Sequence, residues 1–441
     1  MTRAINFIEL AKLSAEARQR LLTRSEADLT EHETKVRPII EAVRTEGDAA
    51  IARFARRFDR APVEATELAA TAADFEKAEK ELEPEVYAAM AFAAQSIRRF
   101  HSDQMPEEMW LNEVRPGVFA GDRTTPIPSV ACYVPRGKGA FPSAALMTTI
   151  PAQVAGVPEI CILTPPGPDG RIDAATLVAA RMAGVEKVFK AGGALAVAAV
   201  AFGTKTIPKC SKIVGPGSLW LAAAKNVLAH VLDTGTPAGP SESIVLVDET
   251  SDGRLAALDL LIEAEHGPDS SAFLVTWSRA VAQAALAAIP TYWKGMSQER
   301  IDYASAVLSG PIGGVVLAPD EASAIAFVND FAPEHLQVLS KEPLRYLGRL
   351  KHAGEILLGE HTPSTLGNFV IGPNHVLPTS GWARTASALS VFDFLKRTSI
   401  AHVTSAGYPE LARHARRIAT YEGFDAHANA VSEARDRLLK T

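Results

Sequence analysis

A glutamate and a histidine stand three residues apart near the end of a predicted helix. After a strand-like apolar run, amphipathic spacing predicts a helix that begins at about Asp252 and ends at Gly267-Pro268. Residues three apart share one helix face, so Glu263 and His266 could hold a metal ion together. The alternative is that the histidine only benefits from the negative end of the helix dipole. The spacing alone leaves both interpretations open.

A second pair is adjacent in the chain. Glu334 and His335 stand at the start of the predicted strand HLQVLS. A Glu-His dipeptide at a strand's end can present a general base and a second acid/base group to one ligand. The alternative is a structural histidine whose ring nitrogens are satisfied inside the protein.

Two further clusters lie nearer the end of the chain. Asn368 and His375 occur in a long Gly/Pro-rich polar segment, which is typical of a functional loop, and Glu422 and His427 occur in the tail. Each of these residues alone is best explained as a solvated surface residue. The presence of all four clusters in one chain favours a shared site.

The elements that must position these side chains belong to an α/β protein. Apolar strands alternate with helices from Ile127 to about Leu232, and a second alternating region runs from Glu242 to about Gly359. In parallel sheets of this kind, ligands bind where strands end and helices begin. Gly215-Pro216-Gly217 and Gly137-Lys138-Gly139 lack the third glycine of a dinucleotide fingerprint, so they are read as tight turns.

Composition narrows the class of protein. The chain has 441 residues, 47% of them hydrophobic, a formal net charge of -6 and three cysteines, Cys132, Cys161 and Cys210. It can bury large cores, and we expect buried reduced thiols rather than a disulfide framework. No basic block suits nucleic acid, no apolar run suits a membrane, and no leader-like segment is visible, so we expect a cytoplasmic protein with a small-molecule partner.

Several segments together resemble one known family. YVPRGKGAFPSAALMTTIPAQVAGV, KIVGPGS, PAGPSES, AEHGPDS, APEHL, GPNHVLPTSGWAR with LSVFDFLKR, and EGFDAHANAV are similar, in order, to signature blocks of the histidinol dehydrogenases. The resemblance spans Val130 to Val431. It implies a zinc-containing, NAD-dependent enzyme that oxidises an amino alcohol to the amino acid in two hydride transfers, and an intertwined homodimer.

The resemblance also assigns the catalytic and substrate residues. It implies that Glu334 and His335 are the catalytic pair and that Ser241 contacts substrate. Glu422 and His427 match the family's tail residues, of which the glutamate contacts substrate and the histidine is a metal ligand supplied by the partner subunit.

The implied zinc ligands are Glu263, His266, Asn368 and His427, with substrate contacting the same four side chains and His335. Glu263 replaces a family glutamine and Asn368 a family aspartate. Because the two exchanges together keep one carboxylate and one amide oxygen, the formal charge is unchanged and we predict that zinc binding survives. The rival view is a site that has lost its metal.

On the cofactor side, the resemblance points to Tyr133, Pro135, Leu195 and Ser218, of which the last two replace a family glutamine and asparagine. Arg136 stands where the family has glycine, and with Lys138 it could bind an anionic group of substrate or a phosphate. Two solvated surface cations are the alternative.

The predicted architecture is therefore two parallel-sheet Rossmann-like domains with a helical N-terminal arm and a C-terminal tail. The predicted boundaries are an arm over 1–28, a metal and substrate domain over 29–126 and 243–385, a cofactor-side domain over 127–242, and a tail over 386–441 that reaches the partner subunit. Residues 108–123 are expected to be irregular, and Glu342–Lys351 to be a helix. L-histidinol is the first candidate substrate. A paralogue that oxidises another, possibly anionic, alcohol and a catalytically silent metal- or metabolite-binding dimer are the alternatives.

Overall fold

Strands and helices alternate through most of the chain in the computed structural model, which describes residues 4–24, 29–136 and 139–439. The predicted α/β class, with parallel sheets, is confirmed. The chain divides into a first unit, Met1–Gln104 with Ile127–Phe394, and a second unit, Met105–Pro126 with Leu395–Thr441. In the ranges described, no helix combines the length and the apolar character that crossing a bilayer requires.

The strands are short and most are buried. In chain order they are β1 (Phe7–Glu9), β2 (Met109–Arg115), β3 (Val118–Pro126), β4 (Ser129–Tyr133), β5 (Glu159–Thr164), β6 (Val188–Lys190), β7 (Lys212–Val214), β8 (Glu242–Val247), β9 (Ser271–Thr276), β10 (Gly313–Leu317), β11 (His335–Leu339), β12 (Glu355–Leu358) and β13 (Leu395–Val403).

The α-helices connect these strands or extend beyond them. In chain order they are α1 (Ala15–Leu21), α2 (Thr30–Glu46), α3 (Asp48–Phe58), α4 (Ala72–Glu81), α5 (Pro84–Asp103), α6 (Pro142–Val154), α7 (Ala174–Met182), α8 (Gly193–Phe202), α9 (Leu219–Leu228), α10 (Gly253–Ala264), α11 (Arg279–Tyr292), α12 (Gln298–Leu308), α13 (Glu321–Phe331), α14 (Ser364–Phe369), α15 (Tyr408–Tyr421), α16 (Asp425–Ala430) and α17 (Glu433–Leu438).

The large sheet of the first unit has the strand order β1-β10-β9-β8-β11-β12, and all its pairs are parallel. Separate apolar cores cover its two faces, which explains why its strands read as continuous apolar runs. The register aligns His335 of β11 with Ser243 of β8 on one side and Glu355 of β12 on the other. The amino ends of three adjacent strands therefore form one row.

The small parallel sheet of the first unit has the order β6-β5-β4-β7. Its core includes Val36, Ile40 and Ile51 from α2 and α3, packed with Tyr133 and Leu195. The prediction that residues 29–126 belong with residues 243–385 therefore needs correction, because the apolar faces of α2 and α3 pack on the small parallel sheet. Helical periodicity showed that those faces are buried but not against which sheet.

The second unit contains an antiparallel sheet in the order β13-β3-β2. The irregular segment predicted over 108–123 is wrong, since β2 and β3 form a hairpin there. Part of the predicted tail, Leu395–Val403, is the strand β13, which pairs along β3. Every residue of β2 is exposed, so the period-2 apolar pattern that would indicate a strand is missing.

Two smaller predictions also need correction. The segment predicted as a helix over Glu342–Lys351 contains only a short 3-10 turn, Pro343–Tyr346. The predicted helical arm holds α1 but begins with β1, which pairs with β10 at the edge of the large sheet. Residues 25–28 of that arm lie outside the described residues. The cysteine prediction is confirmed, because all three thiols are buried and free.

A buried aspartate beneath the large sheet gives a pH-dependent stability. Asp259 of α10 accepts a hydrogen bond from Gln337 Nε2 at 2.6 Å. Burial raises the pKa of Asp259 from 3.8 to about 6, against the opposing effect of this donor. Because the folded state holds the proton more tightly, the stabilisation is fully present below pH 3.8 and is lost as the pH rises through about 6.

Asp259→Asn removes this titration. About two pKa units correspond to about 3 kcal/mol, so we expect the free energy of unfolding of the wild type to fall by roughly that amount relative to the variant between about pH 4 and about pH 7. Chemical denaturation of both proteins at a series of pH values measures the difference. Parallel pH profiles for the two proteins would contradict the assignment.

Candidate active site

The acid/base pair predicted from the sequence lies at the amino edge of the large sheet. His335 is the first residue of β11 and Glu334 directly precedes it. The exposed fractions of the two residues are only 4% and 6%. Buried ionisable side chains are rare unless they are paired, so their neighbours decide what they can do.

Three carboxylates surround the His335 ring. Nδ1 lies 2.6 Å from Glu355 Oε1, while Nε2 lies 3.7 Å from Glu334 Oε1 and 4.0 Å from Glu263 Oε1. Burial alone would lower the pKa of His335, but the charges of Glu263, Glu334 and Glu355 outweigh it and raise the pKa to about 10. These carboxylates therefore stabilise the imidazolium, and a cation bound at Glu263 would oppose that effect and favour the neutral ring that a base requires.

The pKa of Glu334 is raised, whereas that of the neighbouring Glu263 is lowered. Its Oε2 accepts a hydrogen bond from the Glu242 backbone N–H at 3.0 Å. Burial raises the pKa of Glu334 to about 8, the nearby Glu263 adds to the rise, and His335 opposes it. In this environment the carboxyl can hold or release a proton near neutral pH, as an acid/base group must.

The amino end of β8 is fixed beside Glu334. Glu242 Oε1 accepts hydrogen bonds from Arg24 Nε at 3.2 Å and from the Ser380 backbone N–H at 2.8 Å. Ser241, the predicted substrate contact, is the next residue toward the N-terminus and is partly exposed. Ser241 is thus held near the acid/base pair by its neighbour in the chain.

Three predicted zinc ligands converge at the end of α10. A helix that connects parallel strands runs back across the sheet, so the C-terminal end of α10 returns to the amino edge. Glu263, with an exposed fraction of 1%, accepts a hydrogen bond on Oε1 from Asn368 Nδ2 at 2.9 Å, and its Oε2 lies 3.2 Å from His266 Nδ1. Burial would raise the pKa of Glu263, but His266, His335 and the Asn368 donor together lower it. Glu263 is therefore an ionised carboxylate inside the protein.

The donor atoms left over suit a borderline cation. Asn368 Oδ1 is buried and has no hydrogen-bond partner among the described residues. His266 Nδ1 lies 3.0 Å from the Ile262 carbonyl oxygen; an N–H donated there leaves Nε2 as the nitrogen with the lone pair. A carboxylate, an amide oxygen and an imidazole nitrogen fit zinc. In the described ranges, no group of three or more His, Cys, Asp or Glu side chains is arranged to hold a metal ion.

The remaining predicted ligand belongs to the second unit. His427 lies on α16 and Glu422 follows α15, and both side chains are exposed. The ring of His427 lies 5.3 Å, between centroids, from that of Phe424. Within its own unit, neither predicted site residue is buried in a core.

The polar segment after β12 is held by its own histidine and asparagine. His375 Nδ1 lies 2.6 Å from the Asn368 carbonyl oxygen, and Asn374 Nδ2 donates to the Met147 carbonyl oxygen at 2.6 Å. Burial lowers the pKa of His375. These contacts fix the backbone that carries Asn368.

Glu355 is the site residue that the sequence analysis missed. It is separated from His335 by a loop and a 3-10 turn, and only the parallel pairing of β12 with β11 brings the two together. The available signal was a charged residue at the start of an otherwise apolar predicted strand, EILLG.

The predicted cofactor residues gather around the carboxyl ends of β4 to β7. Tyr133 ends β4, and its Oη accepts a hydrogen bond from the Gly193 backbone N–H at 3.0 Å. Burial raises the pKa of Tyr133 to about 12. Pro135 follows β4, and Ser218 precedes α9 with an exposed side chain, whereas Leu195 is 3% exposed and packs in the core.

One of the two cations that could bind an anionic group, Arg136, contacts the backbone of a neighbouring turn. Arg136 Nη1 donates to the Arg171 carbonyl oxygen at 2.9 Å, and a Cβ on Gly167 would lie 2.6 Å from the Arg136 guanidinium. The guanidinium thus packs on the turn after β5. Lys138 lies outside the described residues.

Comparison with known proteins agrees with this geometry. The sequence model of the histidinol dehydrogenase family matches residues 22–435. The chain is 60% identical over 435 residues to histidinol dehydrogenase homolog 2 of Mesorhizobium japonicum and 48% identical over 432 residues to histidinol dehydrogenase of Synechocystis sp.; these alignments cover 99% and 98% of this chain and 99% of each relative.

The solved structure of histidinol dehydrogenase from Elizabethkingia anophelis superposes with a TM-score of 0.92 at 30% identity and covers 99% of both chains. A likeness of this extent in sequence and in fold covers both parallel sheets and the residues at their edges. The chain therefore belongs to the histidinol dehydrogenase family and is an NAD-dependent oxidoreductase that acts on an alcohol.

Proposed function

We propose that the protein is a zinc-dependent, NAD-linked dehydrogenase that oxidises a primary alcohol through the aldehyde to the carboxylate in two hydride transfers. L-histidinol is the first candidate substrate. The observation that carries this proposal is the buried Glu334–His335 pair beside the Glu263, His266 and Asn368 cluster. An acid/base pair next to a set of metal-type donors is what oxidation of an anchored alcohol requires.

His335 is the proposed base for the alcohol. Its Nδ1 is engaged by Glu355, so Nε2 is the nitrogen that receives the hydroxyl proton. The surrounding carboxylates stabilise the imidazolium that results. Because these charges are already in place, little reorganisation is needed when the proton moves.

Glu334 is the proposed group for the second half of the reaction. Oxidation of an aldehyde to a carboxylate needs a water molecule that loses a proton as it adds to the carbonyl carbon. Glu334 with a pKa near 8 can accept that proton, and the Glu242 N–H keeps its carboxyl oriented. Two neighbouring groups with separate proton tasks fit a two-step oxidation.

The proposed zinc ligands are Glu263, His266 and Asn368, with His427 from a second copy of the chain. When bound, zinc supplies a Lewis acid that anchors and polarises the oxygen of the alcohol. The buried unpartnered Asn368 Oδ1 and the ionised Glu263 support this assignment, since a buried lone pair and a buried charge both gain from a cation.

The proposed cofactor site uses Tyr133, Pro135 and Ser218 at the carboxyl ends of the small sheet's strands. When bound, NAD supplies the acceptor for the hydride. Leu195 contributes through packing that holds the start of α8, because its side chain belongs to the core. These positions are assigned to the cofactor because the resemblance points to them and because they lie together at the carboxyl ends of the strands of the small sheet.

A homodimer with shared sites is part of the proposal. In the second unit β2 is exposed along its whole length, with Trp110 and Leu111 among its apolar side chains, and Tyr421 beside Glu422 is 94% exposed. Exposed apolar surface of this kind is typical of a surface that packs against a partner. A monomer in sedimentation analysis at working enzyme concentration would contradict this part.

A second candidate is the same chemistry on another polar alcohol. The relative at 60% identity carries the name homolog, whereas the one at 48% is named histidinol dehydrogenase. Glu263 and Asn368 also exchange the positions of the carboxylate and the amide around the implied metal, relative to the glutamine and aspartate of the family. Rates with L-histidinol and with primary alcohols that carry a carboxylate or phosphate separate the two candidates.

A catalytically silent binding dimer is the third possibility. The retained Glu334, His335 and Ser241 argue against it, because a buried acid/base pair is costly to maintain without a use. It would be supported by ligand binding with no NAD reduction for any alcohol in the panel.

A further inference from the structure

We propose that Glu355 is a positioning residue for His335. Its carboxylate accepts a hydrogen bond from Nδ1 and so fixes the imidazole with Nε2 toward Glu334 and Glu263. This inference rests on the proposed function, in which His335 is the base. The argument uses the strand register, the hydrogen bond and the packing around the carboxylate.

The register puts the two side chains on one face of the large sheet. His335 and Glu355 are direct partners in the parallel pair of β11 and β12, and side chains at aligned positions of adjacent strands lie side by side. The Glu355 backbone N–H also donates to the Glu334 carbonyl oxygen at 3.0 Å. The carboxylate is therefore carried by a strand that is tied to the catalytic pair itself.

The contact has the geometry of a charge-assisted hydrogen bond. Glu355 Oε1 lies 2.6 Å from His335 Nδ1. Such bonds are shorter and stronger than those between neutral groups. An ionised carboxylate can only accept, so this contact places a hydrogen on Nδ1 and assigns the exchangeable proton to Nε2.

The opposite side of the ring explains why this assignment matters. Glu334 and Glu263 both lie on the Nε2 side, at 3.7 and 4.0 Å from that nitrogen. If the neutral ring carried its hydrogen on Nε2, it would present a donor where the base needs a lone pair. Glu355 excludes that tautomer by accepting from Nδ1.

Packing holds the carboxylate in place. A Cβ added to Gly367 of α14 would lie 3.2 Å from Glu355 Oε2, so the backbone before Asn368 closes against this oxygen. The segment that carries a proposed zinc ligand thus also confines the group that orients the base. A glutamate confined in this way loses little freedom when it holds the ring.

The test is Glu355→Gln in the zinc-loaded enzyme. An amide carries no charge and can rotate to donate, which would drive the ring into the other tautomer. We expect kcat to fall by at least about 100-fold, while the KM values for alcohol and NAD and the zinc content change by about twofold or less. Glu360→Gln is the matched control, because Glu360 is on the same segment and pairs with Lys341 away from the ring. Wild-type kcat in Glu355→Gln would overturn the proposal.

A double variant distinguishes positioning from an independent contribution. If Glu355 acts through the ring, His335→Ala/Glu355→Gln should be no slower than His335→Ala alone. Multiplied losses in the double variant would overturn the proposed route of action.

A measurement without turnover separates this proposal from the proposed function. In zinc-loaded protein with ¹⁵N-labelled histidine, and with the His335 signals identified by their loss in His335→Ala, the wild-type ring should show hydrogen on Nδ1 and a changed pattern in Glu355→Gln. Identical ring signals in the two proteins would refute the positioning role even if no alcohol were oxidised. The absence of turnover by the wild type, with the expected signals, would count against the proposed function alone.

Discussion

Replacing His335 by alanine is expected to lower kcat/KM for the alcohol on the order of 10⁴-fold, at the upper end for loss of a positioned acid/base group. The ring is the group that can take the hydroxyl proton and hold the resulting charge among Glu263, Glu334 and Glu355. Zinc content and NAD affinity should stay near wild-type values, because His335 is not among the proposed ligands of either. Initial rates of NADH formation measure the effect, and turnover near the wild-type rate would contradict the role.

A control for this result uses the shared site. His427→Ala should also be inactive, since the proposed fourth ligand comes from the second copy. When the two inactive variants are mixed and allowed to exchange subunits, half the dimers are hybrids with one intact site, so about a quarter of wild-type activity should return. Complete failure to recover activity despite hybrid formation would show that each site is built within one chain.

Replacing Glu263 by glutamine is expected to weaken zinc binding by at least about 100-fold, because two amides and no carboxylate then face the cation. The reciprocal double variant Glu263→Gln/Asn368→Asp restores one carboxylate and one amide. We expect it to regain most of the affinity, because the formal charge of the ligand set is the same as in the wild type. Zinc retention against graded chelator measures both variants without reference to any substrate.

Glu265→Gln is the matched control for that series. It removes a carboxylate from the same helix end but leaves the Glu263–Asn368 contact intact. Zinc binding in this variant should match that of the wild type. Full zinc retention by Glu263→Gln, or a double variant as weak as the single one, would contradict the compensation between positions 263 and 368.

Most of the alternating strands and helices between β4 and β11 could be predicted because their strands are short apolar runs that are largely buried. The strands of the second unit could not, because β2 is exposed throughout and β13 nearly so. These strands pair through backbone hydrogen bonds, which produce no recognisable pattern of apolar and polar residues in the sequence. The assignment of α2 and α3 to the large sheet failed because helical periodicity shows which face of a helix is buried but not which sheet that face packs against.

For the candidate site, sequence reasoning singled out residues whose partners are near in the chain or that the resemblance assigns, such as Glu263, His266 and Glu334. It missed Glu355 because the contact with His335 depends on the register of two parallel strands, which a connecting loop does not determine. We expected ligands to bind at the carboxyl ends of the strands, and Tyr133 lies at such an end, in the small sheet. The acid/base cluster instead lies at the amino ends of the strands of the large sheet, where the C-terminal end of α10 positions Glu263.

The most direct test of the account is NADH formation by zinc-replete protein with L-histidinol, with the hydrides counted for each alcohol consumed. The account predicts two NADH per L-histidinol, loss of activity on complete removal of zinc, and recovery when zinc is restored. No turnover of L-histidinol with zinc bound would contradict the substrate assignment and favour another polar alcohol. Full activity in the verified absence of zinc would contradict the proposed role of Glu263, His266 and Asn368.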